Sequence, residues 1–151
     1  MANKFILPVF WALIGLFIII VLGMTAGVSL APLVRQVTIG TLPRFLFFLL
    51  GLALIVLTAR AEIDRTMKKF LILTGSSAVG LFVGILLHNL VYGAFVQWFG
   101  ADFWDRTGLG DEPVFFLLAV LVCPVAFMVG TVASIVLMIQ RKSAESRLRE
   151  T

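Results

Sequence analysis

The side chains in this sequence that could do chemistry are few, and they fall in two places. The first is a set of long apolar runs. One of them, Gly80 to Gly93, reads GLFVGILLHNLVYG and holds the only histidine of the chain, His88, beside Asn89 and one turn before Tyr92. An ionisable residue inside such a run is a candidate for proton transfer or for an ion or substrate pathway. Two other apolar runs contribute Thr25, and the sole cysteine, Cys123, followed by Pro124. The second place is a short loop, Gly100 to Pro113, with four acids: Asp102, Asp105, Asp111 and Glu112. Clustered carboxylates are the ligand type of hard cations such as calcium.

What is missing narrows these options. A zinc centre needs three or four protein ligands at one place, and one histidine and one cysteine do not supply them within a single copy. A single cysteine also excludes an intrachain disulfide or a redox pair. Haem held between two histidines would require His88 to be shared across a dimer axis. No acidic residue falls inside an apolar run, so the usual acid–base pair is not available there. The acidic loop lacks the Asp-x-Asp-x-Asp-Gly spacing of a calcium loop. No catalytic set, cofactor or metal site is therefore expected. Trp98, Phe99, Phe103 and Trp104 interleave with the loop acids, which reads as an aromatic anchor at a lipid–water boundary.

The elements that must position these residues follow from composition. Of 151 residues, 61% are hydrophobic and only 13% charged, with a mean hydropathy of +1.11. A soluble domain carries about 25% charged residues. Four apolar segments, about 5–34, 42–59, 70–99 and 114–140, each approach or exceed the roughly 20 residues a helix needs to cross a bilayer. A backbone in lipid must satisfy its own hydrogen bonds, so the expected fold class is all-α, with four transmembrane helices in one membrane domain over 1–151. Pro43 and Pro113 suit first-turn positions, and Asp111 or Glu112 suits the start of the fourth helix. The first segment mimics a signal peptide, but its apolar run exceeds the roughly 7–15 residues of such a core.

Basic residues orient the chain. The N-terminus, the middle hairpin and the tail 141–151 hold Lys4, Arg60, Arg65, Lys68, Lys69, Arg141, Lys142, Arg147 and Arg149, nine in all. The opposite side holds three, Arg35, Arg44 and Arg106. The bias places both termini in the cytoplasm, with a plasma or inner membrane as the location.

Helical spacing then arranges the polar residues. Positions four apart lie above one another, so Gly80, Gly84, His88 and Tyr92 form a stripe, continued by Ser76 and Ser77. Gly80-x-x-x-Gly84 is a small-xxx-small pattern, which lets a second helix approach closely. Counting inward from Trp98 and from Pro113 puts His88 at the depth of Cys123 and Pro124, with Thr25 near the same level on the first helix. Pro124 deprives the Val120 carbonyl of its usual donor, and His88 or Asn89 is expected to supply one. Such a layer serves either helix packing or function. The reading favoured by this chain is an accessory, assembly or structural membrane subunit, partnered by the lipid bilayer and by copies of itself or a larger membrane complex, with no nucleic acid. The alternative is a homo-oligomeric channel or transporter that uses His88.

Overall fold

A computed structural model describes residues 3–26 and 40–149, with side chains over 4–24 and 40–149. Among the described residues there are helices and no strands: α1 (Asn3–Ala26), α2 (Thr41–Arg60), α3 (Arg65–Phe99), the short α4 (Phe103–Arg106), α5 (Pro113–Leu117), a π-helical turn (Leu118–Val122) and α6 (Cys123–Arg149). The last three form one continuous rod. Among the described residues four helices are long and apolar enough to cross a membrane: Lys4–Met24, Thr41–Arg60, Arg65–Phe99 and Pro113–Arg149. That is compatible with a multi-pass membrane protein.

The helix limits differ from the apolar runs in instructive ways. The first helix is described to Ala26, and the rest of the expected segment, 27–34, lies outside the described residues. α3 starts at Arg65, five residues before the apolar run, because Asp64 caps it: its carboxylate accepts from the backbone N–H groups of Thr66 and Met67. The expected tail after residue 140 is instead a helical continuation to Arg149. In both cases charged residues extend a helix that apolar periodicity alone would have ended. The loop also contains α4, which the sequence did not reveal.

Small residues set the helix seams. α1 packs on α2, α2 on α3, and α3 on α6. A Cβ added at Gly51 would sit 2.8 Å from the Gly75 carbonyl oxygen and 2.8 Å from Ala78 Cβ, so the α2 and α3 backbones touch there. A Cβ at Gly84 would meet Ala119 Cβ at 2.9 Å, and one at Gly130 would meet Thr74 Oγ1 at 2.6 Å. Phenylalanine rings close the bundle: Phe17 of α1 lies 4.5 Å from Phe127 of α6, which is 5.4 Å from Phe47 of α2. The outward faces carry large exposed apolar side chains, among them Leu90, Leu121, Val125 and Ile139.

Asp64 gives a first test. The Met67 N–H, with help from the Thr66 N–H and the Arg141 guanidinium, holds its carboxyl below the usual carboxylate value against the opposing effect of desolvation. A carboxyl with a depressed folded pKa stabilises the fold above its unfolded pKa, and that stabilisation is lost as pH falls through the folded value. Asp64→Ala is therefore expected to lower the melting temperature at neutral pH. The gap to the parent protein should close in strong acid. An equal gap at all pH values would show that Asp64 does not act through its charge.

Candidate functional site

His88 is placed by α3 and partnered by the start of the rod that begins at α5. It lies one turn beyond Gly84, whose close contact with Ala119 fixes which face of α3 meets that rod. α5 begins here because Pro113 needs no donor in the first turn and Glu112 is a strong N-cap. One Glu112 oxygen, Oε1, accepts from Val114 N at 2.7 Å, and the other, Oε2, accepts from Phe115 N at 3.0 Å. Gly108 and Gly110, with φ of 73° and 68°, let the chain turn back into this position.

The imidazole bridges the same residues. His88 Nδ1 lies 3.1 Å from the Glu112 carbonyl oxygen and 3.4 Å from Glu112 Oε2. A carbonyl only accepts, so Nδ1 carries the proton in this geometry. Nε2 points the other way, 3.6 Å from Asp111 Oδ2. With a proton on both nitrogens, each carboxylate would have a donor. The Glu112 side chain is 5% exposed and that of Asp111 is 53% exposed. A chain of titratable groups thus runs from solvent-accessible Asp111 through His88 to buried Glu112.

Several sequence expectations change here. Neither His88 nor Asn89 hydrogen-bonds to Val120, although all three border one cavity: His88 is engaged at Glu112, and Asn89 Nδ2 donates to Ile85 O of its own helix at 2.7 Å. The helix absorbs Pro124 itself. The preceding turn is π-helical, with the Cys123 N–H bonded to Leu118 O, five residues back, which widens the turn ahead of the proline ring. The shared depth also fails. Cys123 Sγ lies 3.0 Å from where a Gly80 Cβ would stand, two turns along α3 from His88. The count misled because Trp98 and Pro113 are not level. α3 runs on for eleven residues past His88, about 16 Å, while the rod starts beside His88 itself.

The remaining candidates separate. Tyr92 stacks on Trp104, 5.9 Å apart and 9° from parallel, and its carbonyl accepts from Trp104 Nε1. The aromatic loop therefore folds back on α3. Ser76 is exposed, whereas Ser77 is buried and bonds to Leu73 O. Thr25 falls at the end of α1, and its side chain lies outside the described residues, as does Arg35. The four acids do not converge. Asp102 pairs with Arg106 at 3.2 Å, Asp105 sits in α4, and Asp111 and Glu112 turn toward His88. Among the described residues no group of three or more histidine, cysteine or acidic side chains is arranged to hold a metal ion.

Two features were missed. A cavity of about 560 Å³ opens between α1, α2, α3 and the rod, with His88, Asn89 and Pro124 on its wall together with Arg44 and Met24. The second is a group of buried hydroxyls, Thr58, Thr74, Ser77, Thr131 and Ser134, toward the end that holds the 61–64 hairpin. Among the described residues, Thr58, Thr131 and Ser134 find no hydrogen-bond partner for their hydroxyls. Gly130-x-x-x-Ser134 is the sequence signal that could have pointed there, as a second small-xxx-small pair. Comparison of the chain with protein-family models, with curated proteins and with solved structures gives no match.

Proposed function

We propose that the chain is a multi-pass protein of a plasma or inner membrane, with both termini cytoplasmic, and that it serves as an accessory, assembly or structural subunit without catalysis. The carrying observation is how the polar groups inside the apolar region are used. His88, the one imidazole inside an apolar run, is spent on the Glu112 carbonyl and carboxylate that start the rod. Exposed leucine, isoleucine and valine cover the outward faces, which suits lipid or partner helices and not water.

Two measurements test this reading. With Cys123 replaced by alanine, a cysteine at Glu62 is expected to resist an impermeant thiol reagent in intact cells, and one at Asp105 to react. The reverse pattern would invert the topology. Native mass measurement in mild detergent should then find the chain within a larger assembly. A channel or transporter is the second reading, favoured by one observation: His88 joins exposed Asp111 to the cavity wall. Proton flux in liposomes that disappears with His88→Ala would establish it in place of the first.

A further inference from the structure

The cavity has a polar end, a floor and a definite size. Its walls come from equivalent stretches of three helices: Phe17 to Met24 on α1, Leu81 to Asn89 on α3, and Phe116 to Pro124 on the rod. Each spans seven or eight steps, or about 10–12 Å along its helix. Phe17 and Phe47 form the floor, with centroids 6.0 Å apart and both against Phe127. Phe116, whose ring lies 5.6 Å from that of His88, forms part of the upper wall.

The volume decides the shape of an occupant. About 560 Å³ lies in the roughly 300–1,000 Å³ range of small-molecule sites. At about 30 Å³ for a water-sized group, it holds on the order of twenty such groups, too few for a two-chain phospholipid. Spread over about 10 Å of depth, 560 Å³ gives a mean section of about 56 Å². That is broader than one extended acyl chain and suits a ring system among phenylalanines.

The polar end decides its charge. Two titratable residues line the cavity, Arg44 and His88, and no acidic side chain among the described residues does. Arg44 is half-buried and makes no hydrogen bond or ion pair with any described residue. Asp111 and Glu112 are engaged with His88 and do not line the cavity. A guanidinium without a partner among the described residues, at the edge of an apolar cavity, matches a carboxylate, which it can hold through two parallel hydrogen bonds.

We infer that this cavity is a binding site for a compact, ring-bearing carboxylate amphiphile, its head on Arg44 with His88 and Asn89 beside it, and its rings among Phe17, Phe47 and Phe116. The site stands whether the chain works as an accessory subunit or as a transporter, because it rests on the cavity and not on the oligomeric state.

The probe is 4-benzoylbenzoate, a photoreactive two-ring carboxylate, offered to the full chain in nanodiscs of neutral phosphatidylcholine. Saturable cross-linking is expected, mapping to Met24 and to the Leu81–Asn89 and Phe116–Pro124 stretches, and competed by 1-pyrenebutyrate better than by palmitate. Arg44→Gln should weaken the apparent affinity about ten-fold or more, the loss of a charge-assisted contact, and Arg44→Lys should restore part of it. Val120→Trp, which fills the cavity from a partly open position, should abolish the signal with the melting temperature retained. Labelling that never saturates, that falls on lipid-facing Val125 and Met128, or that is equal for the methyl ester overturns the site. So does an affinity unchanged in Arg44→Gln, or palmitate competing as well as the ring compound. Absence of saturable labelling, whether lipid or the chain's own segment 27–39 fills the space, overturns it as well.

Discussion

Valine in place of Gly51 is expected to destabilise the bundle by about 2–3 kcal/mol or more, the upper part of the range for overpacking a tight contact. The added atoms would have to enter a space where even one Cβ stands 2.8 Å from the Gly75 carbonyl oxygen. That oxygen belongs to the α3 backbone and cannot swing aside as a side-chain terminus can, so α2 and α3 must separate. Separation at this point also disturbs Phe47, buried one turn away and in ring contact with Phe17 and Phe127. Gly51→Ala should fall between the parent and valine. Gly15 and Gly93 provide the controls, since nothing lies within 4 Å of a Cβ at either. Unfolding in a detergent titration, followed by circular dichroism, reads the differences. If Gly51→Val and Gly93→Val lose the same stability, the seam is not where the helices are held.

Glu112→Ala is the second large effect. It leaves the Val114 and Phe115 N–H groups without their acceptor, and removes one of the contacts of His88 Nδ1. An N-cap is worth about 0.5–2 kcal/mol, and a hydrogen bond to a charged group about 1.5–3 kcal/mol, so a total loss of about 2–3 kcal/mol is expected. Glu112→Gln keeps one carbonyl oxygen and should lose less. The informative experiment is a double-mutant cycle with His88→Ala. Interhelical polar contacts in a membrane average about 0.6 kcal/mol, so coupling well above that would mark His88 and Glu112 as a unit. Strict additivity would mean that the imidazole contributes nothing through Glu112.

Much of the architecture was legible because long apolar helices announce themselves by composition. The four segments and the capping position before Pro113 were readable from residue type. Helix ends were less so, since Asp64 and the charged residues after Gln140 extend helices by capping and elongation and not by hydrophobicity. The candidate site was legible as a set of residues and illegible as a geometry. His88 stands out as an anomaly, but depth counted from Trp98 and Pro113 as if they were level points to Val120 and not to Glu112. Folding back of the aromatic loop onto Tyr92 shifts the rod by more than two turns relative to α3, and no periodicity encodes that offset. In the sequence Arg44 reads only as a topology charge, because a cavity is a property of four helices at once and of no single one.

The distribution of glycine seams has a mechanical consequence. Backbone-to-backbone contact at Gly51 with Gly75, and at Gly130 with Thr74, lies in the half of the bundle nearest the 61–64 hairpin. Toward the other end, α3 stays fastened to the rod through Gly84 and Ala119, while α1 and α2 border the cavity with phenylalanine, isoleucine and methionine. The arrangement resembles a cantilever, with backbones in direct contact at one end and spaced by side chains at the other, where Phe45 and Phe48 of α2 meet Phe82 of α3. Load applied at the side-chain-spaced end is expected to deform the packing around the cavity before it parts the backbone seams.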